Sequence, residues 1–436
     1  MLLAALPAML LTSCRFEDED YFDESASLRI EHAVESIQKT LVSAPQGWVM
    51  QYYADTSVDG YEGFNLFAKF EDSGKVTMAG NHRYLRDGNS NKYTEFASLY
   101  KMLLEDGPVL AFNTWNDILT VFVDPVDPSA APGSLVKDGA GMGGDHNFVV
   151  MSYDNNEIIL RGERHSAEVR LVACDRSWQD YIADTETMKS YITSSSVTSY
   201  YVTNGTDTLY FLNPRSGHFR YTERIDDPLH VQWKSCCFTP DGFRLEHQDT
   251  IGSNKFQEFK LAEDKTCLYN EDQTVQVIAC WDNYVVNHTA LWQMDAERFS
   301  AEQKSLFDQL DAAFKVFNSA CSMASVGIGK SSGSGSVIGL VVTFYTNTAK
   351  TKKNTVGLEM KFSKPAYGEI QLVNPAEAKV DKNMEAVVNR SPDVEKLVRA
   401  FAATLQGTYK MTPDNYFLPV SVEFAPINGG TAFKLN

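Results

Sequence analysis

The chain has 436 residues, 43% hydrophobic and 12% aromatic, with 57 acidic against 39 basic side chains for a net charge of −18. This length suits two or three domains, and the apolar content suits large cores and excludes global disorder. The acidic balance disfavours nucleic acid and anionic lipid headgroups as partners, and no apolar run after residue 14 approaches the roughly 20 residues of a membrane helix.

Met1 to Leu11 is apolar or small throughout, too short for a lasting anchor but suited to a signal-peptide core. Leu11-Thr12-Ser13-Cys14 then has the pattern of a bacterial lipobox, and Glu17-Asp18-Glu19-Asp20 follows. Residues 1–13 therefore read as a lipoprotein signal peptide and residues 14–24 as an acidic tether. Acyl groups on Cys14, worth about 0.8 kcal/mol per buried methylene, would hold the protein on a membrane. Met1-Leu2-Leu3-Ala4 lacks the usual basic residue, so either the true start lies upstream or the lipobox spacing is accidental; the first is the expectation.

Residues 25–175 read as an N-terminal α+β domain. Ile30, Ala33, Val34, Ile37 and Leu41 recur at helical spacing, with Ser25 or Ser27 as cap and Pro45-Gln46-Gly47 as stop. Strands are predicted at Trp48–Tyr53, Phe64–Phe70 and Lys75–Ala79, the last two joined by a hairpin at Glu71-Asp72-Ser73-Gly74. A short helix is expected over Glu95–Leu104, then strands at Val109–Phe112 and Ile118–Val123. A loop spans Asp124–Gly144, and a meander follows at Phe148–Tyr153, Glu157–Arg161 and Ala167–Val172.

Residues 176–436 read as a C-terminal α+β region. Trp178, Tyr181, Ile182, Met188 and Ile192 suggest a second helix. Strands follow at Val197–Thr203, Thr208–Leu212 and His218–Thr222, with more expected through Tyr284-Val285-Val286. A helix over Phe299–Ala320 presents Leu306, Leu310, Phe314 and Phe317 on one face. A Gly/Ser linker is expected from Gly327 to Ser336, then strands Val337–Tyr345 and Val356–Phe362. A helix over Asp393–Leu405 and strands Phe417–Phe424 and Thr431–Leu435 close the chain. A helix leading into a strand and then a hairpin recurs weakly. The fold class is α+β: antiparallel sheets or half-open barrels with packed amphipathic helices.

No catalytic motif survives its context. Ala324–Ser331 matches a phosphate loop and Gly329–Gly333 a G-x-S-x-G elbow by letters, but neither sits between a strand and a following helix. The histidines, His32, His82, His146, His165, His218, His230, His247 and His288, show no paired metal spacing. Asp124 to Asp127 and Asp138 to Asp145 flank the longest loop; Ca²⁺ coordination is conceivable there, and turn chemistry is the preferred reading. No metal and no cofactor is expected. Beyond Cys14, six cysteines lack C-x-x-C spacing and read as buried thiols with at most one bridge. Aromatics cluster at Tyr52-Tyr53, Tyr61 to Phe67, Trp115, Tyr200-Tyr201, Trp233 and Trp281. Strand packing explains most such rings, while exposed ones offer stacking surface for sugars or peptides.

Several stretches carry a family resemblance: Asp20-Tyr21-Phe22-Asp23-Glu24-Ser25-Ala26-Ser27-Leu28-Arg29, Gly47-Trp48 with Tyr52-Tyr53, and Gly60-Tyr61-Glu62-Gly63-Phe64-Asn65. Leu110-Ala111-Phe112-Asn113-Thr114-Trp115-Asn116 and Gly143-Gly144-Asp145 continue it. In this order they resemble the Bacteroidota lipoprotein family known as domain of unknown function 4302. Glu62 interrupts what is often a Gly-Gly pair, and His146-Asn147 replaces an aromatic–acidic pair. The resemblance implies no catalytic residue. It implies an outer-membrane lipoprotein facing the cell exterior, near a nutrient-uptake transporter and its partner lipoprotein. Asp207-Thr208-Leu209 and Asp249-Thr250-Ile251 also resemble that phylum's O-glycosylation sites.

The expected function is accessory binding in uptake of a glycan or peptide. The alternatives are an extracytoplasmic hydrolase whose site is hidden in sequence, and a structural or adhesive envelope protein.

Overall fold

A computed structural model describes residues 25–54, 62–105, 107–123, 142–194, 197–215, 217–223, 231–287 and 291–436. The signal segment, Cys14 and most of the long Asp124–Gly144 loop lie outside the described residues. The chain forms two compact units: described residues up to Met50 with Leu66–Asp175, and Gln51–Asn65 with Arg176–Asn436.

The first unit opens with α1 (Ala26–Ser43), capped by the Ser25 hydroxyl, which accepts from the Leu28 amide. Strands follow: β1 (Trp48–Tyr53), β2 (Phe64–Phe70), β3 (Lys75–Gly80), β4 (Thr94–Leu99), β5 (Lys101–Leu104), β6 (Pro108–Ala111), β7 (Asn147–Tyr153), β8 (Glu157–Gly162) and β9 (Glu168–Ala173). They build one nine-stranded sheet in the order β4-β3-β2-β1-β9-β8-β7-β6-β5. The end of β1 and the start of β2 belong to the second unit.

Two expectations fail in this unit. Glu95–Leu104 is two strands, not a helix. Ser98 and Tyr100 face inward while Glu95, Ala97 and Leu99 are more exposed or fully so, a period of two rather than 3.6. Ile118–Val123 is a helical turn, not a strand. Asn116 causes this: its side-chain oxygen accepts from the Ile118 amide, and its carbonyl accepts from Leu119 and Thr120.

The second unit begins with α2 (Trp178–Ile192), capped by Ser177. Eight strands follow: β10 (Ser199–Thr203), β11 (Thr208–Arg215), β12 (His218–Thr222), β13 (Gln232–Thr239), β14 (Gly242–Ile251), β15 (Asn254–Leu261), β16 (Leu268–Tyr269) and β17 (Gln276–Ala279). Each pairs antiparallel with the next, and β10 pairs with β17, so the barrel closes fully. Closure removes the open edges that invite aggregation. Phe211, Phe219, Phe243 and Phe259 are wholly buried, with successive ring centroids 4.9, 4.8 and 5.2 Å apart. An eight-stranded barrel is just wide enough to be filled by such side chains.

Beyond the barrel come α3 (Trp281–Asn287), β18 (Trp292–Gln293), α4 (Ala301–Phe317), β19 (Ser322–Lys330), β20 (Ile338–Tyr345) and β21 (Lys353–Glu359). The chain ends with β22 (Lys361–Ser363), β23 (Glu369–Val373), α5 (Lys382–Val388), α6 (Asp393–Thr404), β24 (Gly407–Pro413), β25 (Val422–Gly429) and β26 (Phe433–Leu435). Strands β18 to β21 form one sheet and β22 to β26 another. A capping box starts α4: Ser300 accepts from the Gln303 amide, and Gln303 returns a bond to the Ser300 amide.

Three expectations fail here. The expected strand at Tyr284-Val285-Val286 is helix α3, whose Trp281 and Val285 are buried one turn apart. The expected Gly/Ser linker fails over residues 327–330, which end strand β19, while residues 331–336 lie between it and β20. Gly327 lets the Trp292 carbonyl approach where a Cβ would sit 2.2 Å from it, so this glycine serves close strand packing. Phe417 lies in a loop, and the strand begins at Val422. Among the described cysteines, all six carry free thiols.

The recurring helix–strand–hairpin plan is physical. In each copy the strand after a helix sends a side chain back to a carbonyl in that helix's last turn or just after it. Trp48 Nε1 donates to Leu41 (2.8 Å), Tyr200 Oη to Ile192 (2.7 Å) and Tyr409 Oη to Leu405 (3.0 Å). The last carbonyls of a helix have no partner within it, so each bond satisfies one and fixes the angle of the following strand.

Candidate ligand-binding surface

Tyr201 and Tyr210 face each other across β10 and β11, on the outer wall of the barrel, because neighbouring Tyr200 points inward. Their rings meet edge to face at 5.5 Å. Tyr367, in the loop before β23, adds a third ring at 6.2 Å from Tyr201 and is 43% exposed. Beneath it Trp281 is buried, and Tyr416 packs against Trp281 at 6.0 Å.

This platform is rigid. The Trp281 indole N–H donates to the Tyr367 hydroxyl (2.9 Å), which donates to the Ala279 carbonyl (3.0 Å). The Tyr367 loop is held from below by Asp282, which is wholly buried. One of its oxygens accepts from the Gly368 amide (3.0 Å) and meets Lys364 Nζ at 2.8 Å. The other accepts from the Asn283 amide (2.9 Å), and Lys364 also reaches the Asn283 side chain (2.7 Å). A fixed aromatic face offers apolar contact area at small entropic cost, and hydrogen-bonding groups at its rim orient a ligand.

Burial disfavours the nucleophilic, deprotonated form of the thiol beside the platform. Burial pushes Cys280 up to about 11, with the Ser199 and Tyr201 hydroxyls against it. Burial likewise pushes Cys237 up to about 12 and raises Cys236, Cys267 and Cys321. A thiol held protonated is a poor nucleophile and metal ligand. Cys237 is sealed by the hairpin segment of its own unit: its amide donates to Tyr53 Oη, which donates to the Arg244 carbonyl.

Two further rings singled out by sequence are exposed. Trp233, 40% exposed, meets His218 edge to face at 4.9 Å on the barrel's outer wall. Trp115 is 48% exposed, with the Arg86 guanidinium 5.2 Å from its centroid and its indole N–H on Asp117. Tyr52, Tyr53, Phe64, Phe67, Tyr200 and Trp281 are buried, the ordinary strand-packing role.

Other candidates resolve into structure. Asp145 accepts from the Arg164, His165 and Ala167 amides, and Gly162 leaves room for its carboxylate, which would lie 1.9 Å from an added Cβ. That is turn chemistry at Asp145; Asp124, Asp127 and Asp138 lie outside the described residues. Ser331 of the phosphate-loop lookalike is buried and accepts from the Val337 amide. His82 is buried with Nε2 on the Ile118 carbonyl, and burial lowers it to about 4. Among the described residues, no three His, Cys, Asp or Glu side chains gather as a metal site would require. No described helix is long and apolar enough to cross a membrane. Thr208 and Thr250, of the two tripeptides, are both exposed at the same end of the barrel.

Tyr210, Tyr367, Asp282 and Lys364 are members that sequence reading missed. Nothing in the composition around Pro365 marks Tyr367 and Lys364; the signal lies in the distant Trp281 and Asp282 that hold them.

Fold and surface together define an α+β protein of antiparallel sheets and one closed barrel, carrying an exposed aromatic platform. A family model described as a domain of unknown function, DUF4302, matches residues 18–263. The chain belongs to the DUF4302 family. No curated protein matches it. The family match ends after β15, although the barrel closes only through β16 and β17.

Proposed function

We propose that this protein is a lipid-anchored binding protein of the outer-membrane surface in Bacteroidota, capturing a glycan or peptide nutrient beside an uptake transporter and its partner lipoprotein. The observation that carries the binding role is the Tyr201–Tyr210–Tyr367 platform, a rigid exposed aromatic face braced by a buried ion pair. Sugar rings and extended peptides both present flat faces edged by polar groups, which suit it. The lipobox at Cys14 and the acidic tether behind it support the location.

Glycan and peptide arrays probed with the full chain test the binding role. A defined class should bind, and Tyr367→Ala should weaken it about tenfold or more, roughly 1.4 kcal/mol. Silence on both arrays, or unchanged binding by Tyr367→Ala, overturns it. Cys14→Ala should move the protein from membranes to the soluble fraction; unchanged membrane retention would refute the anchor.

A further inference from the structure

We propose that one mouth of the closed barrel is a second binding site, for a small zwitterion of the α-amino-acid type. Residues directly opposed in an antiparallel pair share a face of the sheet. Lys234 opposes the buried Phe219, Tyr221 opposes the buried Phe211, and Asp249 opposes the buried Phe256. All three side chains therefore project to the inner side of the wall, at the end where β12 finishes, β13 starts and β14 finishes.

There Lys234 Nζ lies 3.0 Å from Asp249 Oδ2 and 5.2 Å from the Tyr221 ring centroid. The Lys234 and Asp249 side chains remain 29% and 20% exposed, so solvent reaches the pair. Phe211, 6.1 Å from Tyr221, forms the floor.

The hydrogen bonding of the pair is incomplete. Asp249 Oδ1 accepts from the Thr250 amide at 2.8 Å. Oδ2 is buried, and its close polar contact is Lys234 Nζ at 3.0 Å. Lys234 brings three donors. Ion pairs open to solvent contribute little to stability, and the barrel core below this pair is apolar, with Phe211, Phe219, Phe243 and Phe259 in it. The pair is therefore poorly explained as a stability device.

An α-amino acid carries its ammonium and carboxylate on a single carbon, so both can reach this closely spaced pair together. The ligand carboxylate meets Lys234, the ligand ammonium meets the Asp249 carboxylate from its Oδ1 side, Oδ2 being buried, and four charges alternate around a ring. The side chain lies on Tyr221. A simple anion would face Asp249 and a simple cation would face Lys234, each against a like charge. The tyrosine platform lies on the outer face of the barrel wall, so the two sites are independent.

The test is calorimetric titration of the full chain with L-phenylalanine, N-acetyl-L-phenylalanine and L-phenylalanine amide. Phenylalanine should bind, and masking either charge should weaken binding about tenfold. Lys234→Met should lose affinity and become indifferent to masking the carboxylate; Asp249→Asn should become indifferent to masking the amine. This pattern of coupling is specific to direct contact. Absence of binding up to about 1 mM, equal affinity for all three probes, or unchanged binding by both variants overturns the proposal. Should a variant fail to fold, the three probes on the unaltered chain still decide. The array result on the platform is read separately, so the two proposals fail separately.

Discussion

Two of the lysine–aspartate pairs among the described residues are of nearly equal length and have opposite characters. Asp282–Lys364 closes at 2.8 Å with its carboxylate wholly buried, and both oxygens accept backbone amides. Lys234–Asp249 closes at 3.0 Å with both side chains partly exposed and one carboxylate oxygen without an aligned hydrogen bond. Separation alone does not distinguish a bracing pair from a receptive one. Satisfaction of the remaining lone pairs does, because an unmade hydrogen bond inside a protein is the larger energetic term.

The largest expected effect tests the bracing pair. Asp282→Ala leaves Lys364 without its counter-charge and releases the Gly368 and Asn283 amides. Breaking a buried pair by removing one partner destabilises by about 3–5 kcal/mol. Urea unfolding should show that loss, and the variant should also lose the Tyr367 ring's fixed position. A loss below about 1 kcal/mol would place Asp282 with the surface pairs and erase the contrast.

His82 sharpens the comparison, since here burial favours the neutral form of the side chain. Its ring is held at about 4 by burial, against an ordinary histidine value near 6.5. The folded state therefore binds fewer protons than the unfolded state between those two values. Stability from this residue is complete above about pH 6.5 and declines as pH falls toward 4. A shift of this size corresponds to about 3 kcal/mol at most. Denaturation midpoints measured from pH 7 to 4 should fall, and His82→Phe should flatten that slope. An unchanged slope would mean that other groups set the acid response.

How much of this was legible in the sequence depends on the range of the interaction. Local signals survived: the apolar stripe through Leu306, Leu310 and Phe314 marks α4, expected from Phe299 and found from Ala301. Ambiguous periods did not. Phe96, Leu99 and Leu103 fit helical spacing, and pairing with β3, Phe96 opposite Met78, makes the stretch strand instead. Short α3 was hidden because its two valines favour strands, a preference that tertiary packing overrode. The candidate sites were the least legible. Trp281 was visible as an aromatic, but its partner Tyr367 lies 86 residues away. Asp249 stood out only as part of a tripeptide. Its position facing Lys234 depends on a register shift in β14 between Arg244 and Asp249, which the sequence does not mark.

The smallest expected effect separates the two pairs most cleanly. Lys234→Met keeps the length and the apolar contact of the stem with Tyr221 while removing the charge. Asp249 is 20% exposed, so water can solvate the carboxylate that remains, and pairs open to solvent contribute up to about 1 kcal/mol. The variant should therefore unfold within about 1 kcal/mol of the unaltered chain, in either direction, because methionine extends the apolar lining that Phe211 and Phe219 begin. A loss near that expected for Asp282→Ala would show that Lys234 holds the barrel together, as Lys364 holds its loop. A small change in stability, with the ligand response removed, is the combination that only a receptive pair can give.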